Sequence, residues 1–495
     1  MTAEVQVLVV GGGINGAGIA REAAYQGFST LLVEQGDFAQ ATSSQSSKLI
    51  HGGIRYLEQG RLKLVFESLH ERKRLLKIAP HLVRPLRFHI PVYQGDSRPA
   101  WLVGLGCRLY DLLAGSKNLE PSRRLSKAEI DEMSELNPEG LKAVFAYSDA
   151  QVFDARLTLE TAMSAFDAGA QVKNWTEFIG VEEQGDRFVV TLEDKRTGER
   201  YEVKTQVLVN AAGAWTPRLD QKISHKANRP GLKLSRGIHF LVPRKKVTHG
   251  FLTLPQGGRV VFVLPWESHL LIGTTESEYR GEDYLSIPAS ETEKEYLLGV
   301  FHQFFPNQPL ETQDILHCYS GVRPLIDMGE AELGQMSREY RIENETMEGG
   351  MGYWAVFGGK ITSYRLLGER LVGQIKERFV PEGKGGRQTA SEPLPGAYEF
   401  PDDQGLKTKI PTSLLKQWQE RYGAGWAWIG QRYLVGPQTA LFRKFYPAEL
   451  DYLVEREWAY TLDDILLRRT LLSFDLSEPE KTILGQALDL KTGRR

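Results

Sequence analysis

The sequence predicts an α/β fold in three parts: a parallel-sheet domain, a domain built on an antiparallel sheet, and a helical C-terminal domain. Three observations predict it. The chain opens on an apolar strand, a glycine turn and a helix. Residues 236–275 hold several short apolar runs in succession. Beyond a stretch rich in Gly and Pro at 381–397, the apolar spacing becomes helical.

Taken in order, Val5–Val10 reads as a buried strand, GGGING as a turn and Ile14–Gln26 as a helix, with Gly27 at the position a C-terminal cap glycine takes. Thr30–Val33 is a second strand and Glu34 closes it, a βαβ opening. Residues 61–80 form a charged amphipathic helix stopped by Pro80. Residues 181–205 alternate around Thr197-Gly198 as a hairpin, and Thr205–Asn210 is an apolar strand ending in AAGAW. GIHFLVP, RVVFVLPW and HLLIGTT have the pattern of an antiparallel sheet. In PTSLLKQWQERYG, Leu414, Leu415, Trp418 and Tyr422 share one helix face before Gly423, and Thr461 with Asp464 makes a capping-box start. The boundaries follow: residues 1–95, 150–225 and 340–380 for the first domain, 96–149 and 226–339 for the second, 381–397 as a linker, and 398–495 for the helical part.

Composition removes several classes of function. The 495 residues carry 61 Lys plus Arg against 63 Asp plus Glu, a net charge of −2, which argues against a general nucleic-acid binder. Two cysteines, Cys107 and Cys318, are too few for a disulfide scaffold, a four-cysteine zinc site or an iron–sulfur cluster, and no metal site is expected. A reducing, cytoplasmic setting fits them. The N-terminus lacks a basic region and a cleavage site, so no signal peptide is expected. No run reaches the roughly 18 apolar residues that span a bilayer. The nearest is Arg98–Gly115, apolar at Trp101, Leu102, Val103, Leu105, Leu109, Leu112 and Leu113, with Arg98 and Arg108 interspersed. It reads either as a helix packed on the core or as one lying in a membrane interface.

The glycine turn carries chemistry. Gly11-x-Gly13-x-x-Gly16 follows a strand and opens a helix whose unpaired N–H groups and partial positive charge suit a pyrophosphate, with Ile14 and Asn15 in the same turn. Glu34 is spaced to accept hydrogen bonds from a ribose. These features define a Rossmann-like dinucleotide site without choosing between NAD and FAD. Three further segments favour FAD. The loop ATSSQSSKLIHGG offers Thr42, Ser43, Ser44, Ser47, Lys48, Leu49, His51 and Gly52 to wrap an extended cofactor. VLVNAAG supplies a small-residue turn at Ala211 and Gly213. FGGKITSY puts Gly359, Lys360, Ile361 and Thr362 at a helix start, where positive charge would stabilise a reduced flavin.

At GGGINGAGIA, ATSSQSSKLIHGGIRYLE, IGTTE, YSGVRPL and FGGKITSYR the chain resembles the FAD-dependent glycerol-3-phosphate dehydrogenases, within the D-amino-acid-oxidase-like flavoproteins. The resemblance runs along nearly the whole chain; NAAGAW stands where the family commonly has NATGPW, and IGTTE where it has IGTTD. It implies oxidation of sn-glycerol 3-phosphate to dihydroxyacetone phosphate, with hydride passing from C2 to flavin N5 and electrons leaving to a membrane quinone. It also implies that Arg55, Tyr56, Arg323 and Arg338 line the substrate site, and arginine suits a phosphate dianion because it stays charged and binds in a fork. For the base that takes the C2 hydroxyl proton, His51 and His239 both remain open. Lys360 and Arg323 would stabilise the alkoxide or the anionic reduced flavin. The acceptor must come to the flavin, which implies peripheral contact with the inner face of the cell membrane. The C-terminal part is left with capping, homodimer contacts or partner docking. An oxidase that uses oxygen, an amino- or hydroxy-acid oxidoreductase, and a flavoprotein serving only as a binding module are the competing readings.

Overall fold

The computed structural model describes residues 3–115, 119–226, 230–255, 258–327, 336, 338–399 and 404–493. Strand β1 (Ala3–Val10), helix α1 (Ile14–Tyr25) and strand β2 (Thr30–Val33) form the opening unit, within a residue or two of the sequence reading. β1 is apolar on both faces because it lies inside a parallel array, between β2 and the strand Glu199–Asn210. The first sheet has eight strands, six of them in the order Tyr340–Thr346, Gly352–Gly358, Glu199–Asn210, β1, β2, Gln171–Lys173. Its two remaining strands, Thr176–Gln184 and Arg187–Asp194, add an antiparallel flap, and the turn after Asp194 falls at Thr197-Gly198 as the sequence predicts. α1, Asp154–Asp167 and Tyr364–Lys376 share one apolar core with this sheet.

The second sheet has ten strands and centres on Leu232–Pro243, which pairs antiparallel with His269–Gly273, Ser277–Tyr279 and His317–Ile326. The strand Val83–Tyr93 belongs here although it lies inside the 1–95 span. It pairs with Leu141–Val152 and, in parallel, with Gly250–Thr253. Alternation along a strand announces the strand and not the sheet that receives it. The two sheets meet along the Thr42–Ser47 loop, where the Thr42 hydroxyl donates to the Val322 carbonyl (2.7 Å) and the Tyr319 hydroxyl to that of Ser46 (2.7 Å).

Helices α2 (Leu62–Ile78) and α3 (Ala100–Ala114) cover the outside of this second sheet. The core-packed reading of α3 holds for one face only. Cys107, Tyr110 and Ala114 are buried, while Trp101, Leu105 and Leu112 are 70%, 56% and 76% exposed. Leu102 of α3 and Leu62 and Phe66 of α2 are exposed as well. No helix among the described residues is long and apolar enough to cross a membrane.

The stretch 381–397 is fastened to the first domain rather than hanging free. Gly383 N–H donates to Gly27 O (2.8 Å), Leu394 N–H to Ile78 O (2.8 Å) and Arg21 Nη2 to Glu392 O (2.8 Å). Glycine supplies the close backbone approach that a strap needs, so the composition that marks a linker marks this as well. The helical part has its own core, with Leu414, Trp418 and Tyr422 inside, Leu415 packed at its edge, and Ile429, Leu453, Ile465 and Leu484 completing it. Thr461 and Asp464 cap each other as the sequence predicts (Asp464 N–H to Thr461 Oγ1, 3.2 Å). The turn that follows, Asp464–Arg469, is wound wider than an α-helix, and its two arginines are buried.

Candidate active site

A cavity of about 560 Å³ runs from the glycine turn to the edge of the second sheet. At one end the turn closes tightly. Gly11 has φ +114°, and a Cβ there would lie 2.6 Å from the Ala211 carbonyl oxygen, so only glycine fits between β1 and the AAG turn. The first N–H of α1, at Ile14, donates to Ser43 Oγ (2.9 Å), which holds the hydroxyl loop against the helix N-terminus. The Glu34 carboxylate accepts from Gly12 N–H (2.6 Å) and Gly36 N–H (3.0 Å). Burial pushes its pKa up, and these backbone donors act against that push.

The other end is cationic. Arg323, Arg338 and Lys360 line it together with His51 and Tyr56. Lys360 Nζ sits 3.9 Å from the centre of the Tyr56 ring and has no hydrogen-bond partner among the described residues. Arg323 donates through Nη2 to Thr274 Oγ1 (2.9 Å), and its buried Nη1 is also unpartnered. Burial and then the charge of Arg338 push the Arg323 pKa down to about 9. Burial and the same arginine lower Lys360. Arg338 reaches Glu276 (3.5 Å), which also pairs with Arg259. Neither Arg259 nor Glu276 is singled out by the sequence reading, although IGTTE holds the second; a lone carboxylate does not announce the arginines that it collects.

The two histidines separate. His51 faces the cavity, and its backbone N–H meets Thr362 Oγ1 (3.3 Å). Burial first, and then Lys360, Arg338, Arg72 and Arg55, push its pKa down to about 3. His239 is off the cavity wall. It is buried behind Ser47, whose Oγ is 2.9 Å from Nε2, and it stacks on Tyr319 (5.2 Å between ring centres). Among the other predicted residues, Gly11, Gly13, Ile14, Asn15, Thr42, Ser43, Ser47, Leu49, Ala211, Gly213, Gly359, Ile361 and Thr362 line the cavity. Gly16, Ser44, Lys48, Gly52 and Arg55 do not. The Lys48 ammonium is held by Asp154 (2.7 Å), so it fastens the loop rather than facing a ligand. Gly52 N–H donates to Tyr110 Oη of α3 (2.8 Å), itself bonded to buried Asp149. Arg55 is exposed, within electrostatic reach of Arg338, Tyr56 and His51.

These residues fit FAD. Gly359 has φ +110°, leaving bare backbone beside the unpartnered Lys360 and the unpartnered Asn15 Oδ1, while the opposite end offers a helix N-terminus and a ribose-spaced carboxylate. The fold and the cavity together define an FAD-dependent oxidoreductase. Residues 6–365 match the family model described as FAD dependent oxidoreductase. The chain is 38% identical to glycerol-3-phosphate dehydrogenase of Pseudomonas aeruginosa, covering 97% of this chain and 94% of that one. It is 37% identical to D-erythritol 1-phosphate dehydrogenase of Brucella abortus (98% and 97%) and to aerobic glycerol-3-phosphate dehydrogenase of Escherichia coli (99% and 98%). A crystal structure of glycerol-3-phosphate dehydrogenase from Bacillus halodurans complexed with FAD superposes with a TM-score of 0.80 at 25% identity, over 99% of this chain and 91% of that one. The chain belongs to the FAD-dependent glycerol-3-phosphate dehydrogenase family, and its cofactor is FAD.

Proposed function

We propose that this protein oxidises sn-glycerol 3-phosphate to dihydroxyacetone phosphate and passes the electrons to a membrane quinone. The observation that carries the reading is the end of the cavity where Arg323, Arg338 and Lys360 converge on His51 with two of their donors unpartnered. Buried cations that lack partners are expensive, and a phosphate dianion relieves them. Arg323 and Arg338, with Arg55 at closer approach, hold the phosphate. His51 takes the C2 hydroxyl proton through its free imidazole. Lys360 steadies the negative charge that develops on that oxygen. Bound FAD supplies the hydride acceptor. An amino- or hydroxy-acid substrate would leave this many cations facing a single carboxylate.

Anaerobic mixing of the holoenzyme with sn-glycerol 3-phosphate tests the proposal: the flavin absorbance bleaches in a single turnover. A flavin that D-erythritol 1-phosphate bleaches and glycerol 3-phosphate does not would move the substrate to the activity of the Brucella relative. Oxygen uptake at the turnover rate with substrate alone would replace quinone as the acceptor.

The exposed apolar face of α3 supports docking on the inner face of the cell membrane, where a quinone reaches the flavin. Trp101, Leu105 and Leu112 present a surface that water penalises and lipid accepts. Changing all three to serine removes about 1.5–3 kcal/mol of burial per side chain, so binding to phosphatidylglycerol vesicles falls by about 10³-fold or more. The bound flavin's spectrum stays unchanged. Vesicle binding at the wild-type level in the triple variant would overturn the docking face.

A further inference from the structure

We propose that the helical C-terminal unit works as a clamp on the ribose-binding loop of the FAD site, acting through Arg468 and Arg469. The loop begins at Glu34 and turns at Gly36 into Asp37, whose side chain is fully buried. Asp37 receives three hydrogen bonds from the C-terminal unit. Arg468 Nε and Arg469 Nη1 donate to Oδ2 (2.5 and 2.7 Å), and Arg469 Nη2 donates to Oδ1 (2.8 Å). Its one other side-chain partner among the hydrogen bonds described is Asn174 Nδ2 (3.2 Å), which also donates to Trp458 O of the C-terminal unit (2.9 Å). The wide turn Asp464–Arg469 makes the grip possible, because it buries the two consecutive arginines on one carboxylate, which an exposed α-helical turn rarely does.

The charge arithmetic gives the clamp its purpose. Half-buried Glu34 and fully buried Asp37 are two carboxylates three residues apart, and Asp37 works against ionisation of Glu34. Burial raises Asp37, and Arg469 and Arg468 more than offset that, holding it below the ordinary carboxylate range. With the arginines present, Asp37 keeps its charge paired, and Glu34 accepts from Gly12 and Gly36 N–H and is spaced for a ribose. Without them, an unpaired Asp37 charge stands beside Glu34 and the loop must open or take up a proton. A second tie anchors the clamp: Arg156 of the helix Asp154–Asp167 donates to both Glu457 carboxylate oxygens (2.8 and 3.1 Å) and to Arg469 O (3.1 Å). Arg469 is therefore a positioning residue for the cofactor and does not touch the reacting atoms.

The test uses the full chain as holoenzyme and as flavin-stripped apoprotein. Arg469→Met is compared with wild type and with the double variant Arg469→Met, Asp37→Asn. ADP, which carries only the adenosine half of the cofactor, serves as the probe beside FAD. The clamp predicts that Arg469→Met weakens both FAD and ADP binding at least tenfold by fluorescence titration and speeds FAD release from the holoenzyme. It also predicts that removing the stranded charge in the double variant recovers most of the loss. Wild-type affinity for FAD and ADP in Arg469→Met would overturn it. So would an affinity loss that Asp37→Asn leaves unrelieved, or one that tracks the unfolded fraction measured by circular dichroism.

Discussion

Replacing His51 with glutamine slows anaerobic reduction of the flavin by glycerol 3-phosphate about 10²–10⁴-fold, the usual worth of a positioned base. Glutamine keeps the size and a hydrogen-bonding head and removes the proton acceptor. His239→Gln stays within about tenfold of wild type, because His239 is buried behind Ser47 and reaches the cavity only through that hydroxyl. Normal single-turnover rates in both variants would show that neither histidine is the base. The pH profile carries a further sign. In the free enzyme His51 is neutral throughout the physiological range, held at about 3 by burial and by the surrounding cations. Phosphate binding beside Lys360, Arg338 and Arg55 cancels part of that positive field, so the imidazole gains proton affinity when its substrate arrives. The acid limb of kcat therefore lies above the free-enzyme value of His51. An acid limb of kcat/KM near 6, set by the second ionisation of the substrate phosphate, is expected at about the same place in a variant with slower chemistry.

The glycine-turn end of this cavity was legible in the chain and the cationic end only partly so. The glycine turn, Glu34 and the hydroxyl loop are contiguous, and each carries its own spacing rule, so their geometry follows from local backbone chemistry. The cationic end is assembled from four distant segments by the meeting of two sheets. His51 and His239 look alike in sequence because each precedes or follows an apolar run. What separates them is which strands meet the Thr42–Ser47 loop, a tertiary fact set by the register of Leu232–Pro243 against His317–Ile326, which puts His239 beside Tyr319 behind Ser47. Lys48 shows the same limit, since its loop lines the cavity while its ammonium faces Asp154. Arg468 and Arg469 gave no signal at all. Two arginines in a capped helical segment read as a solvated face, and only the wide turn and the carboxylate across the domain boundary draw them inside.

Acid destabilises the holoenzyme below pH 6.5 by way of four imidazoles, buried His89 and His239 and half-buried His51 and His317. His51 and His89 are pushed down to about 3 and His317 to about 4, while His239 is held well below its ordinary value; burial is the first cause in each. His89 adds a stack on His249 (4.5 Å between ring centres) and an unpartnered Nδ1. The unfolded chain protonates these groups near pH 6.5, and the native fold does so only near its lower values. Below pH 6.5 the unfolded state therefore binds more protons, and stability falls as pH falls. The contribution is complete above pH 6.5 and is withdrawn between there and about 3 to 4. At about 1.4 kcal/mol per pH unit for each group, a shift from pH 6.5 to 5 costs about 2 kcal/mol per imidazole, and four of them together approach the whole stability of an ordinary domain. Carboxylates that are raised in the native state, Glu34 and Asp149 among them, act in the opposite direction, so the histidine share is isolated by difference. Guanidinium unfolding of wild type and His89→Leu at pH 8, 6.5 and 5 makes that comparison, since His89 lies off the active-site cavity. The variant is expected to lose less stability between pH 6.5 and 5, by about one imidazole's share. Parallel pH profiles for the two proteins would show that His89 is protonated in the native state, and that the neutral buried imidazole is not what acid attacks.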